Sequence, residues 1–161
     1  MRIIMLLTIL VGLGCGREAT PPDAPAGGAA VVRDGLEYRA ETAVMESFPV
    51  QLATTVTITN RGASLVRLTL PDGCAVLLRA YRSADARAPA YDALHNVVCT
   101  LALQEVTIPP GERQQLAARS DAREILGDSL PDGTYHLRAL VRPNGGEVEV
   151  PAGAVPLAVP R

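Results

Sequence analysis

Apolar and polar residues alternate along most of the chain after Gly35, in short runs that turn-forming residues separate. The clearest run is 50–59, in which Thr54 interrupts an otherwise apolar face. That face consists of Val50, Leu52, Val56 and Ile58. A period of two is typical of a strand that buries one of its faces. The same pattern predicts eight further strands, at 36–44, 64–70, 75–82, 97–106, 113–118, 135–141, 147–150 and 154–159.

Glycine, proline, asparagine and aspartate cluster between these runs. The turn signals lie at 60–62, 71–73, 109–111, 131–133 and 144–146. Short strands joined by such turns predict an all-β fold, an immunoglobulin-like antiparallel β-sandwich of seven to nine strands. We expect its core to include Val56, Ile58, Leu68, Leu101, Leu137 and Val141.

One segment departs from the β pattern. Asp121 is a candidate N-cap with Glu124 three residues later, and Gly127 is a candidate helix end. These features predict one or two helical turns between the sheets. Tyr135 follows a glycine turn at the start of a late strand, which resembles the tyrosine corner of immunoglobulin-like sandwiches. The alternative is a core tyrosine with its hydroxyl at the rim of the same fold.

The first fourteen residues form an apolar leader with a single basic residue, Arg2. The apolar stretch is too short for a transmembrane helix, so it predicts an export signal; the alternative is a buried core helix. Gly14 and Cys15 resemble the end of a bacterial lipoprotein signal, in which cleavage precedes a cysteine that carries lipid. Ordinary signal cleavage, which would leave the Cys15 thiol free, remains the alternative.

Residues 15–34 are rich in proline, glycine and alanine, and they predict a flexible tether that ends at a domain spanning 35–161. The lipid on Cys15 then places the protein in the bacterial cell envelope, anchored to a membrane and facing the periplasm or the exterior. Two or three acyl chains would make that anchor stable.

Two cysteines remain in the predicted domain. Cys74 and Cys99 both fall on the apolar side of their predicted strands, and an exported protein favours a disulfide between them. Two separate buried thiols are the alternative. Neither cysteine has a histidine or cysteine at ligand spacing, so the sequence predicts no metal site.

Composition excludes several functional classes. All fifteen basic residues are arginine, the net charge is −2 and no basic run occurs, which argues against nucleic-acid binding. The two histidines, His95 and His136, have no serine elbow or cysteine partner in the sequence pattern. No phosphate loop or nucleotide fingerprint is present. We therefore expect a protein that is not an enzyme and needs no cofactor.

The segments VTITNRGASLVRLTL, VTIPPGE and LPDGTYHLRALV resemble the BsuPI-type intracellular proteinase inhibitor domain, an immunoglobulin-like sandwich. The resemblance implies the same fold and raises protease inhibition as a function. Two hypotheses follow: a lipid-anchored binding or accessory module with a protein or other envelope partner, and a protease inhibitor at the cell surface. For the second, the candidate inhibitory loop is 83–89, with Arg87 as its candidate specificity residue; an ordinary solvated loop is the alternative, and the sequence favours it.

Overall fold

Antiparallel strands account for most of the fold, which is described in a computed structural model for residues 26–45, 47 and 50–159. The strands are β1 (Ala26–Gly27), β2 (Val31–Arg33), β3 (Leu36–Met45), β4 (Gln51–Asn60), β5 (Val66–Leu70), β6 (Leu77–Tyr81), β7 (Tyr91–Asp92), β8 (Gln104–Ile108), β9 (Arg113–Asp121), β10 (Gly133–Val141) and β11 (Val148–Leu157). Two short helices, α1 (Ala93–Asn96) and α2 (Ala122–Leu126), and a 3₁₀ turn (Pro143–Gly145) join them. Neither α-helix has the length and hydropathy that a membrane span requires.

The strands form two main sheets and one separate pair. The first sheet has the order β1-β3-β4-β9, with β2 also paired to β3. The second has the order β11-β10-β6-β7, and β5 pairs with β8. One continuous core draws buried side chains from both sheets and from the β5–β8 pair. The predicted all-β sandwich is therefore confirmed, with eight strands of five or more residues and three shorter ones.

Strand β4 alternates between buried and half-buried residues along its whole length, as its sequence pattern predicts. Thr54, which interrupts the apolar face, is buried and shares a hydrogen bond of 2.9 Å with the hydroxyl of Thr42 on β3. The pair satisfies two hydroxyl groups that would otherwise be costly to bury. At the end of β4, the buried side-chain amide of Asn60 donates to the carbonyls of Ser64 and Ile108. These bonds join β4 to the loop before β5 and to the last residue of β8.

Five of the six residues expected in the core are buried: Val56, Ile58, Leu68, Leu137 and Val141. The sixth prediction is wrong, because the side chain of Leu101 is fully exposed. The strand predicted at 97–106 begins only at Gln104, where pairing with β5 starts. Residues 97–103 are instead bonded to α1 and to the turn at 73–74, through backbone hydrogen bonds and the disulfide. Their alternating pattern therefore does not reflect pairing with a neighbouring strand.

The predicted tether ends earlier in the chain than expected. Of residues 15–34, those from Ala26 onward are described, and β1 and β2 within them pair with β3. The backbone at Gly28 packs closely against β11, because a Cβ atom at residue 28 would lie 2.1 Å from the carbonyl oxygen of Pro151. Backbone pairing with β3 and the close contact at Gly28 hold residues 26–33 in the fold. The prediction of a flexible tether up to residue 34 is therefore wrong for these residues, although they contain few large apolar side chains. The leader, with Gly14 and Cys15, lies outside the described residues.

Two further predictions concern the ends of strands. The strands predicted at 147–150 and 154–159 are one strand, β11, with a register shift at Ala152. Its two prolines, Pro151 and Pro156, are tolerated because β11 is an edge strand. The helix prediction is confirmed: the Asp121 carboxylate accepts from the N–H of Glu124, and Gly127 ends α2 with φ +52°.

Candidate binding surface

The sequence-predicted site residues fall in different parts of the molecule. Cys74 and Cys99 form a disulfide with Cα atoms 5.5 Å apart, beside the start of β6. Tyr135 begins the buried face of β10, and its hydroxyl donates to the carbonyl of Pro131 at 2.8 Å, the hydrogen bond that a tyrosine corner makes. Arg87 lies in the loop between β6 and β7 and is exposed. The structure does not bring these residues together into one site.

The loop that carries Arg87 is folded against the protein. A guanidinium nitrogen of Arg138 donates to the carbonyl of Ala84 at 2.8 Å, and the N–H of Ala90 donates to the carbonyl of Ala80 at 2.8 Å. Within the loop, the N–H of Ala86 donates to the carbonyl of Ser83. These bonds hold the loop close to the sheet, whereas an inhibitory loop must present an extended backbone to a protease.

Arg138 belongs to a charged cluster on the outer face of the second sheet. Glu149 accepts hydrogen bonds from Tyr81 at 2.5 Å and from Arg138 at 3.1 Å, and Arg79 lies 3.4 Å from the same carboxylate. Arg79 also pairs with Asp92 at 3.0 Å, and the Arg138 guanidinium lies 4.0 Å from the centre of the Tyr81 ring. The charges in this cluster are thus paired with one another.

The cluster shifts the pKa values of two of its members. Burial alone would raise the pKa of Glu149, but the hydrogen bonds from Tyr81 and Arg138 outweigh that effect and hold the pKa below its usual value. Burial, followed by the hydrogen bond to Glu149, raises the pKa of Tyr81 to about 12. At neutral pH, Glu149 is therefore ionised and Tyr81 is protonated, which are the states that their hydrogen bond requires. The cluster thus stabilises the outer face of the second sheet.

The two histidines do not meet a nucleophile in the described part of the chain. His95 is exposed at the end of α1, with its ring 4.0 Å from the Asp92 carboxylate. His136 is half-buried on β10 and lines an open groove of about 490 Å³. Within residues 26–45 and 50–159, neither ring is hydrogen-bonded to a serine or a cysteine.

One group of side chains has the composition of a metal site. Asp72, Cys74 and Cys99 place one ligand atom each within 4.8 Å of the others. Both sulfur atoms are consumed by the disulfide, and the Asp72 carboxylate is hydrogen-bonded to Arg142 and to the N–H of Cys74. Because cysteine ligates a metal as the thiolate, and because the Asp72 carboxylate is already paired, these three side chains link two chain segments and do not form a metal centre in the oxidised protein.

The unpaired edge of β9 has a different character. The N–H of Ala122 donates to the carbonyl of Val50, and the N–H of Asn60 donates to the carbonyl of Glu112. In the register of β4 and β9, the even-numbered residues of β9 therefore form the hydrogen-bonded pairs with β4. In an antiparallel ladder the residues between them direct both backbone groups away from the partner strand. These odd-numbered residues include Gln115, Ala117 and Arg119. Among the described strands, only β4 pairs with β9.

A groove runs along this edge. It has a volume of about 240 Å³ and separates β9 from residues 73–78. Small or apolar side chains line much of it, namely Ala75, Ala93, Val97, Ala117 and Ala118. Arg119, Ser120 and Glu124 add polar groups near the end of β9. The groove therefore combines unpaired backbone groups with space for side chains.

Residues 97–103, which we call the pinned loop, extend from this groove. Cys99 is held by its disulfide, and the carbonyl of Thr100 accepts a hydrogen bond of 2.9 Å from the N–H of Gly73. Gly73 leaves room for the Thr100 side chain, since a Cβ atom at residue 73 would lie 2.1 Å from the Thr100 hydroxyl oxygen in its present rotamer. We refer to the β9 edge and the groove together as the edge groove; the pinned loop lies beside it.

Sequence reasoning missed the edge groove. The alternation at 113–118 predicts a strand, but alternation carries no information about which strands become neighbours. A hint was available in the small side chains of Ala117 and Ala118, which pack poorly in a closed sheet. Comparison of the chain with protein-family models and with curated proteins found no match.

Proposed function

We propose that the protein is a non-catalytic binding module of the bacterial cell envelope, held at a membrane by lipid on Cys15. Its partner is a protein that adds an extended segment to the edge groove. The observation that carries this proposal is the unpaired edge of β9 beside a groove with small side chains.

Strand addition explains why an extended backbone is the ligand. The outward N–H and C=O groups of Gln115, Ala117 and Arg119 need partners with the same spacing, which an extended peptide supplies. β9 contains neither a proline nor a register shift, two devices by which edge strands avoid pairing. Alternate side chains of the added segment would point toward the groove, so the partner sequence should alternate between apolar and polar residues.

The anchor determines where this binding takes place. Ten residues lie between Cys15 and Ala26, so the chain from one to the other spans at most roughly 40 Å when fully extended. A domain restricted to that distance from the membrane meets other envelope proteins at a high effective concentration. A modest affinity at the edge groove would then suffice for function.

A library of ten-residue peptides tests the binding site directly. Peptides selected on the wild-type domain should bind Ala117→Pro at least roughly ten-fold more weakly, because proline removes an outward N–H and fills the edge. Binding to Ala117→Val should remain, since valine keeps the N–H group. Hydrogen exchange at residues 115, 117 and 119 should slow when peptide binds. Equal binding to Ala117→Pro, or exchange unchanged on β9, would contradict the proposal.

Ala118→Pro provides the matched control for this assignment. Its N–H points toward β4 rather than toward the groove, so the substitution should destabilise the fold while Ala117→Pro leaves it nearly intact. Equal thermal stability of the two proline variants would show that the strand parity is wrong.

The anchor requires a separate experiment. Labelled palmitate should enter the wild-type protein during growth and should not enter Cys15→Ser. Membrane fractionation should show the wild type in the membrane and Cys15→Ser in the soluble fraction. Equal labelling of the two would exclude lipid on Cys15 and would favour ordinary signal cleavage.

Protease inhibition is the alternative function, supported by the resemblance to the BsuPI-type inhibitor domain. It requires the loop with Arg87 to detach from Arg138 and enter a protease, so it has less support from the geometry. Stoichiometric inhibition of a trypsin-like or subtilisin-like protease, weakened by Arg87→Ala, would favour this alternative over the binding module.

A further inference from the structure

The pinned loop exposes three large apolar side chains to solvent. Val98 is 97% exposed, Leu101 102% and Leu103 74%, relative to the free residues. These are half of the large hydrophobic residues that the described surface exposes, within a loop of seven residues. Exposed apolar residues that cluster in this way mark an interaction surface.

The loop is rigid enough to present these side chains together. The disulfide holds Cys99, the Thr100 carbonyl accepts from Gly73, and the N–H of Ala102 donates to the Thr100 carbonyl at 2.8 Å. The amide of Gln104 adds a long contact to the Asp72 carbonyl at the exit of the loop. Little conformational entropy would be lost if the loop entered an apolar environment.

The charge pattern favours lipid over protein as that environment. Residues 93–104 contain no Asp, Glu, Lys or Arg, and their one titratable ring, His95, lies before the pinned loop. No charge would have to leave water if the loop entered a membrane. The pinned loop also lacks Trp, Tyr and Arg, the residue types that dominate binding energy in protein interfaces.

We propose that Val98, Leu101 and Leu103 of the pinned loop insert into the apolar surface layer of the membrane. This inference rests on the proposed lipid on Cys15, which keeps the domain within roughly 40 Å of the bilayer. Insertion is shallow, because loop backbone groups that lack partners cannot enter the hydrocarbon core. The loop then fixes the orientation of the domain and places the edge groove near the membrane surface.

Single-tryptophan variants test the insertion, since the natural chain contains no tryptophan. Leu101→Trp is compared with Leu65→Trp, in which an exposed leucine at the opposite end of the β5–β8 pair is replaced. Both full-length variants are purified from membranes and placed in phosphatidylcholine vesicles. We expect the emission of Leu101→Trp to shift to shorter wavelength and to be quenched by bromine-labelled acyl chains. The emission of Leu65→Trp should remain unshifted and unquenched.

Three results would overturn the inference. The first is emission of Leu101→Trp that vesicles leave unchanged, and the second is equal quenching of both variants. The third is a blue shift that appears without vesicles and grows with protein concentration, because that would show self-association through the loop.

The same variants in a Cys15→Ser background separate this inference from the anchor. Without lipid on the chain, vesicle association should be weak but should fall at least roughly ten-fold further when Leu101 becomes aspartate, because one buried leucine is lost. Leu65→Asp should have no such effect. If palmitate labels Cys15 but Leu101→Trp does not respond, the pinned loop is not a lipid contact and the binding module stands. If Leu101→Trp responds but Cys15 carries no lipid, the anchor is wrong and the loop contact stands.

Discussion

The outer face of the second sheet and the edge groove with its pinned loop use opposite chemistry. On the outer face, the Glu149 carboxylate contacts Arg79, Arg138 and Tyr81, each within 3.4 Å. Along β9, alternate backbone groups have no partner in the described strands, and the neighbouring loop exposes leucines. A surface whose polar groups are already paired gains little free energy from a ligand. An unpaired strand edge beside exposed apolar side chains gains hydrogen bonds and apolar burial when a ligand binds.

If the edge groove is the binding site, as we propose, charge density is a poor indicator of a site in this protein. The charged cluster joins β6, β7, β10 and β11 to one another and holds the loop with Arg87. Small and apolar side chains line much of the edge groove, with Arg119 and Glu124 near one end, and a disulfide holds the uncharged pinned loop beside it. Three predictions test whether the two regions are as independent as this comparison implies.

The largest effect should come from removing the disulfide. Cys74 and Cys99 are 25 residues apart, and chain-entropy arguments give about 3.5 kcal/mol for a closed loop of that size. The variant Cys74→Ala/Cys99→Ala should lose about that free energy of unfolding in urea. Reduction of the wild-type protein should give a similar loss. The Tyr81 pKa should stay high in the variant, because the charged cluster lies in another region; a fall would show that the regions are coupled.

A smaller effect should follow from Glu149→Gln in the charged cluster. Glutamine keeps the shape but removes the charge that Arg79 and Arg138 share, which should cost about 2 kcal/mol of unfolding free energy. The Tyr81 pKa should fall from about 12 toward its ordinary value of 10.0, as an absorbance titration would show. Peptide binding at the edge groove should be unchanged.

The same variant has a signature in the pH dependence of stability. The Glu149 pKa is lower in the folded protein than its ordinary value of 4.5. Its contribution is therefore complete above pH 4.5 and is lost as the pH falls through the folded pKa. Urea unfolding should show that the difference in unfolding free energy between wild type and Glu149→Gln becomes smaller as the pH falls below 4.5. A difference that stays constant into acid would mean that Glu149 acts only through packing.

Features set by neighbours along the chain could be predicted residue by residue. The cap of α2 depends on Asp121, Glu124 and Gly127, all within seven positions, and it forms as their spacing predicts. The alternation of β4 likewise needs only one buried face. Cys74 and Cys99 pair as expected, because both lie beside the core and only one partner exists in the domain.

Features set by tertiary contacts could not be predicted in this way. Leu101 belongs to an apolar sequence that a disulfide and one backbone hydrogen bond turn away from the sheet. Residues 26–33 lack large side chains in a row, yet backbone pairing with β3 holds them in the fold. The edge groove exists because β8 pairs with β5 instead of β9, a choice of partner that strand periodicity does not encode.

The smallest effect should come from Arg87→Ala. The Arg87 side chain is exposed and makes no ion pair with another described residue, so its removal should change the unfolding free energy by less than about 0.5 kcal/mol. Arg138→Ala is the matched control, because that arginine joins Glu149, the Tyr81 ring and the loop carbonyls. Its loss should destabilise the protein measurably and should increase proteolytic cleavage within residues 83–89. If the binding-module proposal is right, neither substitution changes peptide affinity at the edge groove. A loss of peptide binding in Arg87→Ala alone would move the binding site to this loop and would reverse the comparison between the two regions.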